Sequence, residues 1–200
     1  MVRRIVFATG NIGKIKEIKE IMGDLPLEIL PIRDLGIDVN INENGRTYEE
    51  NALIKVRAIA PFVESEDVVM ADDSGLEVDY LNYEPGIYSA RYLGETTSYT
   101  IKNNNLIERL EGVADEKRTA RFVCAIAAIF PDGREITTRG VIEGSIAHKE
   151  CGKGGFGYDP IFYVPDLGKT TGDLTEEEKN QVSHRGRALR AMKEKMKEIM

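Results

Sequence analysis

Residues 119–146, TARFVCAIAAIFPDGREITTRGVIEGSI, constrain the fold more than any other stretch of this chain. Two β-rich segments flank Pro131-Asp132-Gly133, so the spacing predicts a strand, a tight turn and a second strand. The first segment carries the longest apolar run, Phe122–Phe130. That run is well short of the ~20 residues a membrane-spanning helix needs. The start of the chain reads differently. RRIVFATGNIGKIKEIKEIMGD gives a short β-rich run, a Gly-Asn turn, and Ile15, Ile18 and Met22 at helical spacing before Gly23-Asp24. Leu27–Ile32 can form a strand, and a second helix is expected at about residues 47–60, where Ala52, Val56, Ile59 and Ala60 share a face before Pro61.

Asp67–Ala71 (DVVMA) has the β-branched look of a buried strand, expected to end at Asp72-Asp73 where Ser74-Gly75 turns the chain. TSYTIKNNNLIERLEG reads as a helix ending at Gly112, and KGGFGYDPIFYVPDLGKT as an extended loop with a short strand. From Ser183 a final helix is expected to reach the C-terminus with Leu189, Met192, Met196 and Ile199 as an apolar stripe. Early alternation of strands and helices, followed by a hairpin, predicts one α/β domain over residues 1–200 with a mixed sheet and flanking helices.

Lys and Arg total 27 against 34 Asp and Glu, a net charge of −7, so the overall field repels nucleic acid. The charged N-terminus lacks a signal-peptide pattern, and with no membrane span expected the default expectation is a cytoplasmic location. The two cysteines, Cys124 and Cys151, define neither a disulfide framework nor a zinc cluster, and Cys124 belongs with its apolar neighbours in the core.

Five stretches can carry chemistry. Thr9, Gly10, Asn11, Ile12, Gly13 and Lys14 lie between a strand and a helix start, which is either a simple capped terminus or an anion site to which Lys14 adds charge. The Walker A spacing is missing. Asp72 and Asp73 are either a solvated turn or hard oxygen ligands for magnesium near a proton-accepting carboxylate. Glu43 can supply a second carboxylate to an ion at Asp73, and Lys55 can reach a phosphate, unless both are ordinary surface charges. Gly154–Phe162 offers glycines for close backbone approach, Phe156 as a flat face for a base, and Asp159 held extended before Pro160, or is a structural turn. Lys179, Ser183, His184 and Arg185 gather at the start of the last helix, where Ser183 can cap it and the others can donate to carbonyl or phosphate oxygens.

Taken together, these describe a site for a metal-bound nucleoside triphosphate. ATGNIGK, ENGRTYEENALIK, ADDSGLEVD, PGIYSARY, GGFGYDPIF and EEKNQVSHRG, in that order, resemble the motifs of the inosine/xanthosine triphosphate pyrophosphatases. The resemblance spans about residues 5 to 190. It implies an elongated α/β molecule whose two lobes flank a central active-site cleft, usually as a homodimer. It also implies Mg²⁺-dependent hydrolysis of ITP, dITP and XTP to the monophosphate and pyrophosphate, removing non-standard purine nucleotides from the pool. By position, Thr9 to Lys14 and Lys55 would hold phosphate, and Glu43 and Asp73 the metal. Asp73 would be the proton acceptor and Ser74 would touch substrate. Phe156, Gly157, Tyr158 and Asp159 would line the base pocket, with Lys179, His184 and Arg185 on the base or its phosphates. Asp72 is left without a fixed role, because neighbours in an extended strand point to opposite faces. The rival readings are a pyrophosphatase for pyrimidine or modified nucleotides, and a nucleotide-sensing module without turnover.

Overall fold

The computed structural model describes residues 4–199. Met1–Arg3 and Met200, which the sequence reading counted into the first β-rich run and the last helix, lie outside the described residues. The fold is α/β. Strands β1 (Arg4–Phe7), β2 (Glu28–Pro31), β3 (Val68–Val78), β4 (Thr119–Ile129), β5 (Glu135–Ile146), β6 (Phe162–Val164) and β7 (Lys169–Thr170) form one mixed sheet in the order β2-β1-β3-β4-β5-β6-β7. Five α-helices accompany them among the described residues: α1 (Ile12–Met22), α2 (Tyr48–Ile59), α3 (Tyr99–Arg109), α4 (Glu176–Val182) and α5 (His184–Ile199). β1 runs parallel to β2 and β3, as helical crossovers require, whereas β6 runs antiparallel to β5 and β7. The predicted turn is closed by Phe130 N–H donating to Arg134 O and Gly133 N–H to Phe130 O, both at 2.9 Å. No helix among the described residues is long and apolar enough to cross a membrane.

The chain forms two compact units. The first comprises the chain up to Asp73, Cys124–Gly140 and the chain from His184 onward. Period-two alternation sorts its strand residues onto two faces. Ile5, Phe7, Val68, Met70, Cys124 and Ile126 pack under α1 and α5, where Ile18, Met22, Leu189, Met192 and Met196 are buried. Val69, Ala71 and Ala127 face the other way and meet Ala52, Val56 and Ile59 of α2. The methionine stripe of α5 is therefore core, and each buried Met adds ~1.5–3 kcal/mol. α5 also approaches β5 closely at Gly140, where a Cβ would fall 2.1 Å from the His184 carbonyl oxygen. Thr138 Oγ1 donates to Ala188 O at 2.9 Å beside it.

The second unit comprises Ser74–Val123 and Val141–Ser183. Leu76, Val78, Phe122, Ile142 and Phe162 from its strands pack with Leu106 of α3. Ser98 caps α3, accepting from Ile101 N–H. Arg118 is buried but satisfied, donating to the carbonyls of Leu110, Ile146 and Ala147 at 2.7–3.0 Å. α4, which the sequence reading did not assign, is announced by a capping box: Thr175 Oγ1 accepts from Glu178 N–H, and the Glu178 carboxylate accepts from Thr175 N–H.

One expectation is overturned. β3 does not end at the acids, and Ser74-Gly75 does not turn the chain; the strand continues to Val78. Asp, Ser and Gly favour turns only where the side chains are solvated, and here Asp72 and Asp73 are buried at 1% and 7% exposure while Leu76 and Val78 resume the apolar pattern.

Candidate active site

Because β3 stays extended through its acids, its pleat assigns them opposite faces. Asp72 continues the Val68, Met70 row toward α1 and α5, and Asp73 continues the Val69, Ala71 row toward α2.

On the first face, Asn11 caps α1, its Oδ1 accepting from Lys14 N–H at 3.2 Å, and Thr9 Oγ1 accepts from Asn11 N–H at 3.2 Å. The Ile12 and Gly13 amides belong to the first turn, which has no upstream helical carbonyl to receive them. Lys14 Nζ lies 2.8 Å from Asp72 Oδ2. Arg185, at the start of α5 and 2% exposed, brings Nε to 3.3 Å from the same oxygen and donates Nη1 to Glu17 Oε2 at 2.6 Å. Lys14, Glu17, Asp72 and Arg185 thus form a cluster of two positive and two negative charges. Burial alone would raise the Asp72 pKa, but Lys14, Arg185 and Lys55 overcome it and hold the carboxyl well below the usual carboxylate range. Arg185 is likewise held charged against burial by Asp72 and Glu17.

On the second face, α2 starts at Thr47, whose Oγ1 accepts from Glu50 N–H at 3.1 Å. Asn51, fully buried, donates Nδ2 to Asp73 Oδ2 at 3.1 Å and accepts from Gly45 N–H at 2.9 Å, which ties the 43–46 loop to the strand. One turn on, Lys55 Nζ lies 2.8 Å from Glu43 Oε2, 3.0 Å from Asp73 Oδ1 and 3.1 Å from the Asp72 carbonyl oxygen. Burial raises the Asp73 pKa, and the opposing pull of Lys55 and Asn51 does not cancel it. The Lys55 pKa is also raised: burial would discharge it, yet Asp73, Asp72 and Glu43 overcome burial and hold it charged. The neighbouring carboxyls of Asp72 and Asp73 are thus shifted in opposite directions.

In the second unit, the 154–159 loop folds around Asp159, which is 3% exposed. Its Oδ2 accepts from Phe156 N–H at 2.7 Å and Lys179 Nζ at 2.8 Å, and its Oδ1 from Thr171 Oγ1 at 2.9 Å. Gly155 at φ +74° is required, since a Cβ there would meet Asp159 Oδ2 at 2.2 Å. The Lys179 ammonium lies 4.5 Å from the Phe156 ring centre, so one lysine is shared between a carboxylate and an aromatic face. Gly157 has φ +69°. Tyr158 turns into the core, its hydroxyl donating to Ser89 O at 2.7 Å and its ring meeting Tyr99 edge-on at 5.2 Å. Ser74 is half-buried in β3.

The sequence grouped Lys179, Ser183, His184 and Arg185, and the structure gives them different work. Lys179 belongs to α4 and pairs with Asp159, whereas Arg185 pairs with Asp72 and Glu17. Ser183 separates the two helices and donates its N–H to Lys179 O at 2.8 Å, and His184 opens α5, 7% exposed. Three residues of these constellations escaped the sequence reading: Glu17, Asn51 and Thr171. Glu17 carried a signal, since it stands three residues after Lys14 on the same helical face. So did Asn51, a weak helix former placed beside Ala52 inside α2.

No group of three or more His, Cys, Asp or Glu side chains placed to hold a metal occurs among the described residues. The oxygens of Glu43, Asp73 and the Asp72 carbonyl around Lys55 nevertheless fit a hard divalent cation, since magnesium takes one or two carboxylates and completes its shell with water and phosphate oxygens.

Comparison with known proteins points the same way. The chain is 46% identical over 202 aligned positions to a dITP/XTP pyrophosphatase of Clostridium perfringens, covering 99% of each chain. It is 47% identical over 191 positions to a dITP/XTP pyrophosphatase of Caldanaerobacter subterraneus, covering 96% of this chain and 94% of that one. The solved structure of the Staphylococcus aureus Ham1 protein superposes with a TM-score of 0.87 at 41% identity, covering 99% of this chain and 100% of that one. The Ham1 family model matches residues 5–195, and the chain belongs to the Ham1 family.

Proposed function

We propose that this chain hydrolyses non-standard purine nucleoside triphosphates, ITP, dITP and XTP, between the α- and β-phosphates, giving the nucleoside monophosphate and pyrophosphate. The names of its full-length relatives support the reaction class. The observation that carries the reading is the split of Asp72 and Asp73, each paired with a lysine, Lys14 on one face and Lys55 on the other. A triphosphate carries roughly four negative charges, and phosphoryl transfer depends on positioning and on cations that draw this charge off.

Glu43 and Asp73 are the residues to hold the divalent ion, magnesium by the hardness of their oxygens, and the ion when bound supplies charge neutralisation at the phosphates. Lys14, with the first-turn amides of Ile12 and Gly13 and the hydroxyl of Thr9, receives phosphate oxygens, and Lys55 and Ser74 add to that reception. Asp73 accepts the proton of the attacking water, since it lies among the oxygens that would hold the ion, whereas Asp72 is engaged by Lys14 and Arg185 on the opposite face. Asn51 holds the Asp73 carboxyl in place. Arg185, buried against Asp72 and Glu17, enters through Asp72 rather than through the nucleotide.

Phe156 offers the stacking face. Lys179 and His184 donate to the 6-carbonyl of hypoxanthine or xanthine, where adenine presents an amino donor. With adenine these donors would meet the amino donor instead of an acceptor, which disfavours adenine. Tyr158 supports this loop from within rather than lining it. A cytoplasmic location accords with a substrate drawn from the nucleotide pool, and a homodimer accords with the exposed Tyr80, Tyr83, Tyr88 and Leu93, which light scattering at graded concentration tests.

The deciding experiment is pyrophosphate release from ITP, XTP, dITP, GTP, ATP and dTTP, with and without Mg²⁺. Release from the first three that depends on Mg²⁺ and exceeds ATP and dTTP is expected. Nucleotide binding without pyrophosphate release, or equal rates on ATP, overturns the proposal.

A further inference from the structure

The Lys55 ammonium sits in a seat of three oxygens: Glu43 Oε2 at 2.8 Å, Asp73 Oδ1 at 3.0 Å and the Asp72 carbonyl at 3.1 Å. Its side chain is 13% exposed, that of Asp73 10% and that of Glu43 29%, so the seat is shielded on the strand side and open to solvent at Glu43. Two of these oxygens are the carboxylates assigned above to the divalent ion. An ammonium and a divalent ion compete for the same oxygens of such a seat, and like charges a few ångströms apart in a half-buried site repel. We infer that Lys55 is a placeholder cation: it occupies the metal seat until nucleotide arrives, then yields the seat and carries its charge to the phosphates.

The chemistry of the seat supports the exchange. Glu43 and Asp73 together bear two negative charges, which Lys55 alone half-neutralises. The long lysine stem can swing its head outward without moving α2, whose position is fixed by the buried Ala52, Val56 and Ile59. Asn51 keeps its bond to Asp73 Oδ2 throughout, since Lys55 uses the other oxygen. The departing ammonium loses acidic partners and needs anionic ones, which a triphosphate provides. Metal entry and phosphate capture are thereby coupled, and the nucleotide-free protein discriminates against free divalent ions.

The inference rests on Glu43 and Asp73 being the metal ligands, and the test separates the two claims. Mn²⁺ binding to the nucleotide-free protein is measured by electron paramagnetic resonance for the wild type, Lys55→Met and Lys55→Arg, with circular dichroism confirming the fold. Lys55→Met is expected to bind Mn²⁺ at least tenfold more tightly than wild type, Lys55→Arg to remain as weak as wild type, and Glu43→Gln added to Lys55→Met to reverse the gain. Lys55→Gln, whose amide still donates to the carboxylates, replaces Lys55→Met if the latter does not fold. Equal Mn²⁺ affinity in wild type and the neutral variant overturns the placeholder. If Glu43→Gln then still weakens Mn²⁺ retention in the presence of ITP, the ligand assignment survives that failure; if it does not, the ligand assignment falls as well.

Discussion

Adjacent acids buried on opposite faces should respond oppositely to loss of charge, and Asp72→Asn against Asp73→Asn measures this. Asp72 is 1% exposed and carries Lys14 at 2.8 Å and Arg185 at 3.3 Å. Asparagine there removes one of the two carboxylates that face the buried Arg185, so the Lys14, Glu17, Asp72 and Arg185 cluster loses one negative charge. Breaking a buried pair in this way costs ~3–5 kcal/mol. Lys14 retains 20% side-chain exposure and can recover some hydration, which favours the lower end, about 3 kcal/mol. For a chain of this length that is roughly 6–12 °C in Tm. Its pH dependence has a definite sign. The folded pKa of Asp72 lies below its unfolded value near ~3.9, so its contribution is fully present above that value and is lost as pH falls through the folded one. The gap between wild type and Asp72→Asn should therefore be flat between about pH 8 and pH 5 and narrow below about pH 4. Asp73 has a raised folded pKa, so at neutral pH its charged form is the strained one. Lys55 keeps Glu43 and the Asp72 carbonyl when Asp73 is neutralised, so Asp73→Asn should lie within about 1 kcal/mol of wild type. Urea unfolding at constant m supplies both numbers. Equal losses in the two variants, or less than about 1 kcal/mol for Asp72→Asn at pH 7, would refute the opposite-face reasoning.

Asp73→Asn should abolish pyrophosphate release while leaving the circular dichroism spectrum unchanged; wild-type-like turnover would remove Asp73 as base and ligand. Phe156→Ala should raise KM for every purine substrate together, since stacking worth ~1–3 kcal/mol is tolerant of base identity; a change confined to one substrate would make Phe156 a selectivity element. Lys179→Gln should lower kcat/KM on ITP at least tenfold with little change on ATP, read in parallel steady-state assays. Equal losses on both would assign Lys179 to the loop rather than to the carbonyl.

The parts of this fold that were legible in the sequence are those governed by local period. Ile15, Ile18 and Met22 on α1, and Ala52, Val56 and Ile59 on α2, are buried at the helical spacing that announced them. The hairpin at Pro131–Gly133 needed only its turn chemistry. The end of β3 was misplaced because Asp72-Asp73-Ser74-Gly75 has turn composition, and only partners distant in sequence make it a strand. Arg185 lies 113 positions from Asp72, and Lys55 lies 18 from Asp73. Glu17 gains its role from a partner 168 positions away, so its local spacing to Lys14 did not reveal what it pairs with, and Thr171 depends on Asp159, 12 positions away across the loop and strand between them.

Adjacency of the two acids is a consequence of the pleat rather than of a shared ligand. A strand flanked by helices on both faces can address each face only with alternate residues, so two consecutive carboxylates are the shortest device that meets both. Each face repeats one plan: a helix is capped by a short polar side chain, Asn11 for α1 and Thr47 for α2, and presents a lysine to the acid on its own side. The difference lies in what opposes burial. Burial pushes both carboxyls up; on Asp72 it is overcome by Lys14 and then Arg185, whereas on Asp73 it prevails over Lys55 and Asn51, with Glu43, across Lys55, adding a smaller push in the same direction. A slip of β3 by one residue would exchange the two environments, setting Asp73 against Arg185 and Asp72 against Asn51. The order Asp72-Asp73 is thus fixed by the apolar rows that precede it, Val68 and Met70 on one face and Val69 and Ala71 on the other.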